Sequence, residues 1–391
     1  MKKSSKPKLK IAFVFDDSLD RDDGIQQHIK SLAKYYNTKG HSVDFLVSKS
    51  KTSKLGTVYS LADNIQVNFN QNTLKMPMPA PRGLIEEILR KNQYDIIHIQ
   101  MPYSPLLAGR VLNLCPDDTL AFGTVHIVPS GLTSVIGSYV IGLLNRRSQR
   151  HLTQVIAVSK PAQGFAKRYL GLDSVVIPNP VDFSKYFKKS RQPLPWPQKP
   201  IRIGFLGRLV KRKGLEHLLQ ASKILLDQGF DFRLEIAGDG KDKEKLLALA
   251  KELGLDKIAT WHGHLHEKAK IQFLKSIDLA VYPATGGESF GIVLTEAMAT
   301  ARPIVLAGDN PGYASVMDNL TAQVFDPYDY PNLAKLIRHY ATLTSKQYQK
   351  AINDQLELVK RYSTDTVARQ TLDLYYKRLN QAGLAKRLED E

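Results

Sequence analysis

The sequence predicts an α/β fold of two doubly wound, Rossmann-like domains that face each other across a cleft. Apolar runs typical of strands alternate with amphipathic stretches typical of helices, first from Lys10 onward and again from Arg202 onward. Between the two series, the segment 191–200 holds four prolines in ten residues, which excludes regular secondary structure. Two such domains on one linker leave a cleft between them, where ligands commonly bind.

The limits of the predicted domains follow from where this alternation stops and restarts. We expect a first domain over 1–187, a Pro-rich linker over 188–200 and a second domain over 201–363. The stretch 364–391 begins with a long helical pattern. We expect this helix to cross back and pack on the first domain.

The first domain opens with a predicted β-α-β unit. Lys10–Phe15 reads as a strand, Ile25–Tyr36 has apolar residues at helical spacing, and Val43–Val47 reads as the next strand. Gly24 stands at the start of the helix, where its N–H can face a ligand; a simple turn glycine is the alternative. Further strands are predicted at 65–69, 95–99, 121–126, 154–159 and 175–177, and further helices at 84–90, 106–114 and 161–170.

One histidine of the first domain is a candidate site residue. His126 ends a predicted strand, and the carboxyl end of a strand in such a sheet lies at the ligand crevice. A lone histidine more often has a structural role, so this alternative stays open.

The second domain begins with a cluster of cations. The strand Arg202–Leu206 leads to Arg208, and Lys213 comes just before the next helix. An arginine and a lysine at the carboxyl edge of a sheet suit a diphosphate. A solvated basic turn is the alternative, because Lys211 and Arg212 adjoin. Further strands are predicted at 233–237, 258–262, 279–282 and 304–307, with helices at 215–227, 241–253 and 267–275.

The stretch 284–300 is the strongest candidate for an anion site. It follows the apolar run 277–282, passes through a Gly-rich turn and opens into a helix from Ile292. The start of a helix offers free backbone N–H groups and the positive end of the helix dipole. We therefore expect a phosphate group to bind here.

Two carboxylates flank this stretch, Glu288 and Glu296. On one helix they would lie ~12 Å apart and be rotated by roughly 80°. A carboxylate pair in a retaining glycosidase is only about 5–5.5 Å apart. We therefore expect each to accept hydrogen bonds from hydroxyls on a different part of one long ligand, which favours recognition of sugar and ribose over glycoside hydrolysis.

The formal net charge of +17 allows nucleic acid, an anionic membrane surface or anionic small molecules as partners. No base-reading motif appears, so we expect no nucleic-acid partner. The apolar stretch 131–144, which leads into Arg146, Arg147 and Arg150, indicates either a buried helix or an amphipathic helix on anionic lipid.

The sequence favours a cytoplasmic location. The run Ile11–Phe15 is too short for a signal-peptide core of ~7–15 residues, and no stretch reaches the ~18 apolar residues of a membrane span. The lone Cys115 cannot form an internal disulfide, which fits a reducing compartment. Peripheral contact with the inner face of the cell membrane is left open.

Taken together, these motifs resemble the retaining GT-B glycosyltransferases of family 4 over essentially the whole chain. The stretch 286–296 in particular looks like the bacterial phosphatidylinositol mannosyltransferases. The resemblance rests on Gly24…His28, Thr124-x-His126, Gly207-Arg208 with Lys213-Gly214, Gly238-Asp239-Gly240, and Glu288-x7-Glu296.

The resemblance implies a role for each matching residue. Arg208 and Lys213 would stabilise the leaving diphosphate, and the acceptor hydroxyl would attack from the face of the leaving group. Gln26 would face the acceptor. The implied catalytic residues are His126, Arg208, Lys213 and Glu288. The implied donor-binding residues are Gly24, Gly207, Gly238, Gly287, Ser289, Phe290, Gly291, Ile292, Val293 and Glu296.

Two positions depart from the family pattern. Asp23 replaces the first of two glycines before the early helix, and it places a negative charge near a diphosphate. Pro180 stiffens a turn where the family usually has glycine. Asp20-Arg21-Asp22 spells Asp-x-Asp but lies outside the expected site. We therefore predict no metal and no cofactor.

The leading hypothesis is transfer of a hexose, by resemblance mannose from GDP-mannose, to a lipid-linked or membrane-associated acceptor such as phosphatidylinositol. The partners would be a nucleotide-sugar donor and a lipid or glycan acceptor. One alternative is a UDP-sugar-dependent family 4 transferase with another glycan or small acceptor. Others are a nucleotide-sugar epimerase and a non-enzymatic basic binding protein.

Overall fold

The computed structural model of the chain describes residues 6–21, 23–69, 72–77, 80–128, 137, 140, 142–187, 196 and 199–384. Contacts divide the chain into two compact units. The first comprises Met1–Pro180 and Thr364–Glu391, and the second comprises Val181–Ser363. Each unit has its own parallel sheet, so the predicted α/β class with two Rossmann-like sheets is confirmed.

The first unit is built on a seven-stranded parallel sheet with the order β3-β2-β1-β6-β7-β8-β9. Its strands are β1 (Lys10–Phe15), β2 (Ser42–Ser48), β3 (Thr57–Ala62), β6 (Ile96–Gln100), β7 (Leu120–Val125), β8 (Leu152–Ala157) and β9 (Ser174–Val176). β4 (Asn64–Phe69) and β5 (Asn72–Pro77) form a separate antiparallel pair. Before residue 181, the helices whose bounds the structure describes are α1 (Gly24–Thr38), α2 (Arg82–Asn92), α3 (Leu107–Asn113), α4 (Arg146–Gln149) and α5 (Lys160–Phe165), the last continuing as a π turn over Ala166–Leu170.

Strand β1 shows why its run of residues is apolar throughout. Phe13 and Val14 point to opposite faces of the sheet, as successive residues of a strand do. Phe13 packs with Ile29 of α1, whereas Val14 belongs to a second apolar cluster with Ile85 of α2. Because helices cover both faces, neither face of the strand can be polar.

The second unit has a six-stranded parallel sheet with the order β12-β11-β10-β13-β14-β15. Its strands are β10 (Ile201–Leu206), β11 (Phe232–Ala237), β12 (Ala259–Gly263), β13 (Leu279–Tyr282), β14 (Ile304–Gly308) and β15 (Val324–Phe325). Its helices are α6 (Phe183–Tyr186), α7 (Leu215–Asp227), α8 (Lys243–Glu252), α9 (Glu267–Ser276), α10 (Ile292–Ala299), α11 (Pro311–Ala314), α12 (Tyr330–Ala341) and α13 (Ser345–Lys360).

Both sheets have a point where the strand order reverses. In the second unit, β10 is flanked by β11 on one side and by β13 on the other. In the first unit, β1 lies in the same way between β2 and β6. Ligands of open α/β sheets bind beyond the carboxyl ends of the strands at such a point. The turns that follow β10 and β13 are therefore the first place to look for a site.

The last helix, α14 (Thr364–Gln381), belongs to the core of the first unit. The Tyr375 hydroxyl lies 2.5 Å from Nδ1 of His98 in β6, and its ring meets that of Phe122 edge-on at 4.6 Å. The final helix therefore completes a core whose strands come from the first half of the chain.

The Pro-rich segment contains one residue that the linker prediction did not anticipate. Trp196 is buried in the core of the second unit, where its ring stacks on that of Tyr348 at 4.0 Å. Its Nε1 donates to the Leu343 carbonyl at 2.9 Å. Residues 188–195, 197 and 198 lie outside the described residues. The contact division falls after Pro180, so 181–187, which we expected in the first domain, packs with the second unit.

Replacing Trp196 with alanine should lower the free energy of unfolding of the second unit by about 3–5 kcal/mol, the usual cost of deleting a buried aromatic ring. Trp196→Phe keeps a ring on Tyr348 but leaves the Leu343 carbonyl without its donor, for which we expect a loss of about 1–3 kcal/mol. Chemical denaturation followed by far-UV circular dichroism measures both variants. An unchanged midpoint for Trp196→Ala would show that the segment is a free linker.

Candidate active site

The core of the candidate site is a largely buried cluster of one carboxylate and two cations in the second unit. Arg212 Nη1 donates to Glu288 Oε1, and Lys213 Nζ lies 2.9 Å from the same oxygen. The three side chains are only 10–15% exposed. Because two cations face one carboxylate, the cluster carries a net positive charge at the switch point, and it suits an anionic ligand.

Backbone contacts hold together the two turns that carry this cluster. The Arg212 carbonyl accepts a hydrogen bond from Thr285 N at 3.0 Å, and Arg212 Nη1 also donates to the Gly287 carbonyl at 3.3 Å. Gly214 makes this approach sterically possible: its φ is +70°, and a Cβ there would lie 1.9 Å from the Pro283 carbonyl oxygen. The turn after β10 can therefore lie directly against the end of β13 only with glycine at this position.

The cluster keeps Glu288 ionised. Burial alone would raise the pKa of this carboxyl, but the charges of Lys213 and Arg212 outweigh that effect and lower its pKa below the usual value. Burial lowers the pKa of Lys213, and the attraction of Glu288 only partly offsets it; repulsion from Arg212 and Arg208 acts in the same direction as burial. Arg208 itself is exposed. A charged Glu288 can accept hydrogen bonds from hydroxyl groups.

The second carboxylate has a separate set of partners. Glu296 lies in α10 and is buried. The Tyr186 hydroxyl donates to its Oε1 at 2.8 Å, and Lys270 Nζ of α9 contacts the same oxygen. Glu288 and Glu296 thus do not share a partner among the described residues, which fits two separate binding roles.

The other predicted donor-binding residues of the second unit lie around the start of α10 or in the turns after β10 and β11. Ile292 and Val293 are partly exposed at the start of α10, while Phe290 is buried and meets Tyr362 edge-on at 5.2 Å. Gly287, Ser289 and Gly291 complete the turn before α10. Gly207 and Gly238 approach each other: a Cβ on Gly238 would lie 1.8 Å from the Gly207 carbonyl oxygen.

Sequence reasoning did not select three residues of this site. Arg212, Tyr186 and Lys270 contact the two carboxylates, yet we had assigned Arg212 only to a basic turn. No spacing rule separates Arg212 from the exposed Lys211 beside it. Tyr186 and Lys270 come from elements far from Glu296 in sequence, so only the folded sheet brings them together.

In the first unit, His126 lies just after β7 in a hydrogen-bonded group. Its Nε2 is 2.7 Å from Gln100 Oε1, and its ring meets His28 edge-on at 4.9 Å. His28 Nδ1 is 3.0 Å from Asn179 Oδ1. Burial lowers the pKa of His126 well below its usual value and that of His28 to about 4, so both rings are neutral at pH 7.

The loop that carries Gln26 and Asp23 differs in part from expectation. Gln26, expected to face the acceptor, is buried, and its Nε2 donates to the Ser18 carbonyl at 3.0 Å. Gly24 is exposed at the start of α1. The Asp23 carboxylate lies 2.7 Å from Arg21 Nη2, so its charge is balanced locally. Asp22, and with it the Asp-x-Asp pattern, lies outside the described residues.

Two further observations concern metals and membranes. Among the described residues, no group of three or more His, Cys, Asp and Glu side chains could hold a metal ion. The expectation of a metal-free enzyme stays a prediction. Within the same part of the chain, no helix has both the length and the apolar character needed to cross a membrane.

Comparison with known proteins decides the family. Residues 23–185 match the family model described as Glycosyltransferase Family 4, and residues 187–355 match Glycosyl transferases group 1. A phosphatidyl-myo-inositol mannosyltransferase of Mycolicibacterium smegmatis is 30% identical over 326 residues, covering 82% of this chain and 81% of that protein. The chain belongs to glycosyltransferase family 4. The protein of that name from Mycobacterium tuberculosis is 29% identical over 94% of this chain and 96% of its own.

Solved structures agree with the family fold. A glycosyltransferase from Rickettsia africae superposes with a TM-score of 0.72 at 19% identity, covering 95% of this chain and 99% of that one. A sucrose-phosphate synthase from Thermosynechococcus elongatus gives 0.72 at 18% identity, covering 96% and 100%. The predicted GT-B fold of this family 4 glycosyltransferase is therefore confirmed.

Gly214→Ala tests whether the close contact between the two turns is required. Gly254 has the same φ of +70° but no atom within 4 Å of an added Cβ, so Gly254→Ala is the matched control. We expect the control to lose about 1–2 kcal/mol of unfolding free energy from the left-handed backbone alone. Gly214→Ala should lose clearly more, because its Cβ would overlap the Pro283 carbonyl. Equal losses in urea denaturation would show that the turns can separate freely.

Proposed function

We propose that this glycosyltransferase transfers mannose from GDP-mannose to a lipid-linked or membrane-associated acceptor such as phosphatidylinositol, with retention of configuration and without a metal. The carrying observation is the ionised Glu288 held between Arg212 and Lys213 beside the start of α10. The names of the mycobacterial relatives support mannose as the sugar and phosphatidyl-myo-inositol as the acceptor.

Lys213 and Glu288 of the cluster each have a proposed task, together with neighbouring groups. The diphosphate of the donor would lie against Lys213, Arg208 and the first N–H groups of α10, where positive charge collects. Glu288 would accept hydrogen bonds from the sugar hydroxyls, and Glu296 from those of the ribose. For the first unit, we propose that His126 serves the reacting sugar.

The proposed reaction breaks the bond between the anomeric carbon and the diphosphate oxygen. The acceptor hydroxyl forms the new bond from the same face, and its proton passes to the leaving diphosphate. Lys213 and Arg208 would stabilise the charge that develops on that leaving group, a task that a divalent cation fulfils in other enzymes. Activity should therefore persist in EDTA.

Glu288→Gln should reduce transfer at least about 100-fold, because the amide cannot replace the charged acceptor in a preorganised site. Glu244→Gln, which changes an exposed carboxyl on α8, is the matched control. The assay mixes the protein with GDP-mannose and phosphatidylinositol vesicles and follows the product by mass spectrometry, with NMR of the anomeric proton for its configuration. Full turnover by Glu288→Gln would refute this assignment.

The same assay separates the alternatives. Turnover of UDP-sugars but not GDP-mannose would indicate a UDP-dependent transferase. A changed sugar nucleotide without any acceptor would indicate an epimerase. No binding of any nucleotide-sugar by calorimetry would leave a non-enzymatic basic protein. Retained activity on lipid but not on soluble acceptors favours a membrane-associated acceptor.

We also propose a peripheral contact with anionic membrane, on the cytoplasmic face. A surface cleft of about 590 Å³ in the first unit is lined by Arg82, Arg110, Asn113, Leu114, Arg147 and His151. None of these described lining residues is acidic, although Glu86 pairs with Arg82 from one helical turn away.

Leu143 and Leu144, just before α4, are exposed, Leu144 by 72%. Cations beside exposed apolar side chains suit a phosphorylated headgroup at a bilayer surface. Most of 131–144 lies outside the described residues.

Arg82→Gln combined with Arg147→Gln should weaken binding to vesicles of phosphatidylinositol in phosphatidylcholine at least about 10-fold, at ~1 kcal/mol per lost cation. The control is Lys346→Gln with Lys350→Gln, two exposed lysines of α13 that remove the same charge. Co-sedimentation at fixed salt measures both. Equal losses would mean that only the net charge matters, and binding to pure phosphatidylcholine would contradict an anionic site.

A further inference from the structure

Arg212 has no part in the proposed chemistry. Among the described hydrogen bonds, it nevertheless makes more contacts to the turn 285–288 than Lys213 does. Its Nη1 donates to both Glu288 Oε1 and the Gly287 carbonyl, and its own carbonyl accepts from Thr285 N. Lys213 contacts the turn through Glu288. Arg212 therefore joins the two turns through both its side chain and its backbone.

The two cations face different demands once a donor binds. Under the proposed function, Lys213 is needed by the diphosphate, which would compete with Glu288 for the single ammonium group. A buried carboxylate that loses its last partner is strongly destabilised. Arg212 can stay on Glu288 and on the Gly287 carbonyl at the same time, because its Nη1 carries two N–H groups and already donates to both acceptors.

We propose that Arg212 is the positioning residue for Glu288: it holds the Glu288 carboxylate and the turn 285–288 in place when Lys213 turns to the donor diphosphate. The inference rests on the proposed function and adds that the two neighbouring cations have different roles. Arg212 acts on the sugar half of the donor through Glu288, whereas Lys213 acts on the phosphate half directly.

The test compares the nucleotide with the nucleotide-sugar. Calorimetry measures the affinities of GDP and GDP-mannose for the wild type, Arg212→Gln, Arg212→Lys and Lys211→Gln. Arg212→Gln should weaken GDP-mannose at least about 10-fold, the scale of one buried charge-assisted hydrogen bond, and GDP less than about 3-fold. Arg212→Lys should recover part of the loss. Lys211→Gln changes the exposed neighbour in the same turn and should alter neither affinity.

A pH profile adds a readout that a merely structural role would not change. The charged and titratable groups that face Glu288 are Arg212, Lys213 and Tyr313 of α11. Removing Arg212 takes away one of the two charges that offset the effect of burial, so the pKa of Glu288 should rise although Lys213 remains. The acidic limb of GDP-mannose binding should therefore move to higher pH in Arg212→Gln and stay in place in Lys211→Gln.

The outcomes separate the inference from the proposed function. If GDP and GDP-mannose weaken equally in Arg212→Gln, Arg212 binds the phosphates and the positioning role is wrong. If neither weakens and the pH limb does not move, the role is also wrong. If the wild type binds GDP but no nucleotide-sugar, the proposed function fails, and the inference fails with it.

Discussion

The ion cluster of Glu288 with Arg212 and Lys213 joins two turns of the second unit that are far apart in the sequence. A buried carboxylate needs partners, and both partners come from a turn more than seventy positions earlier in the chain. They can meet because β10 and β13 are neighbours in the sheet. Gly214 then allows the turn after β10 to lie against Pro283. The ion cluster thus requires both the order of the strands and the glycine at position 214.

Under the proposed function, the two carboxylates of the motif would bind different parts of one long ligand. Glu288 is reached from the turn after β10, and Glu296 from α6 and α9 through Tyr186 and Lys270. Each carboxylate is ion-paired in the structure, so under the proposed function a donor would replace or share existing contacts. Such preorganisation lowers the cost of orienting charged groups when the reaction begins.

The sequence allowed prediction of the fold and of the chemically distinctive residues, but not of their neighbours. Continuous apolar runs predicted the buried parallel strands, because helices cover both faces of each sheet. The Glu288-x7-Glu296 spacing predicted two separate carboxylates. We did not predict the burial of Trp196, because prolines dominate its segment, although one aromatic ring can anchor such a segment to a core. We did not predict the contact of Arg212 with Glu288, because nothing in a run of cations indicates which side chain turns inward.

The first unit depends on a helix that the chain supplies last. Tyr375 of α14 contacts His98 in β6, and Val367, Leu372 and Leu379 line the same apolar cluster as β1 and α1. The whole second unit lies between these partners in sequence. During synthesis, the second unit is therefore made before α14, and the core of the first unit can be completed only afterwards. His98 lies in the same strand as Gln100, which contacts His126. The last helix thus contacts the same strand that carries the hydrogen-bond partner of His126.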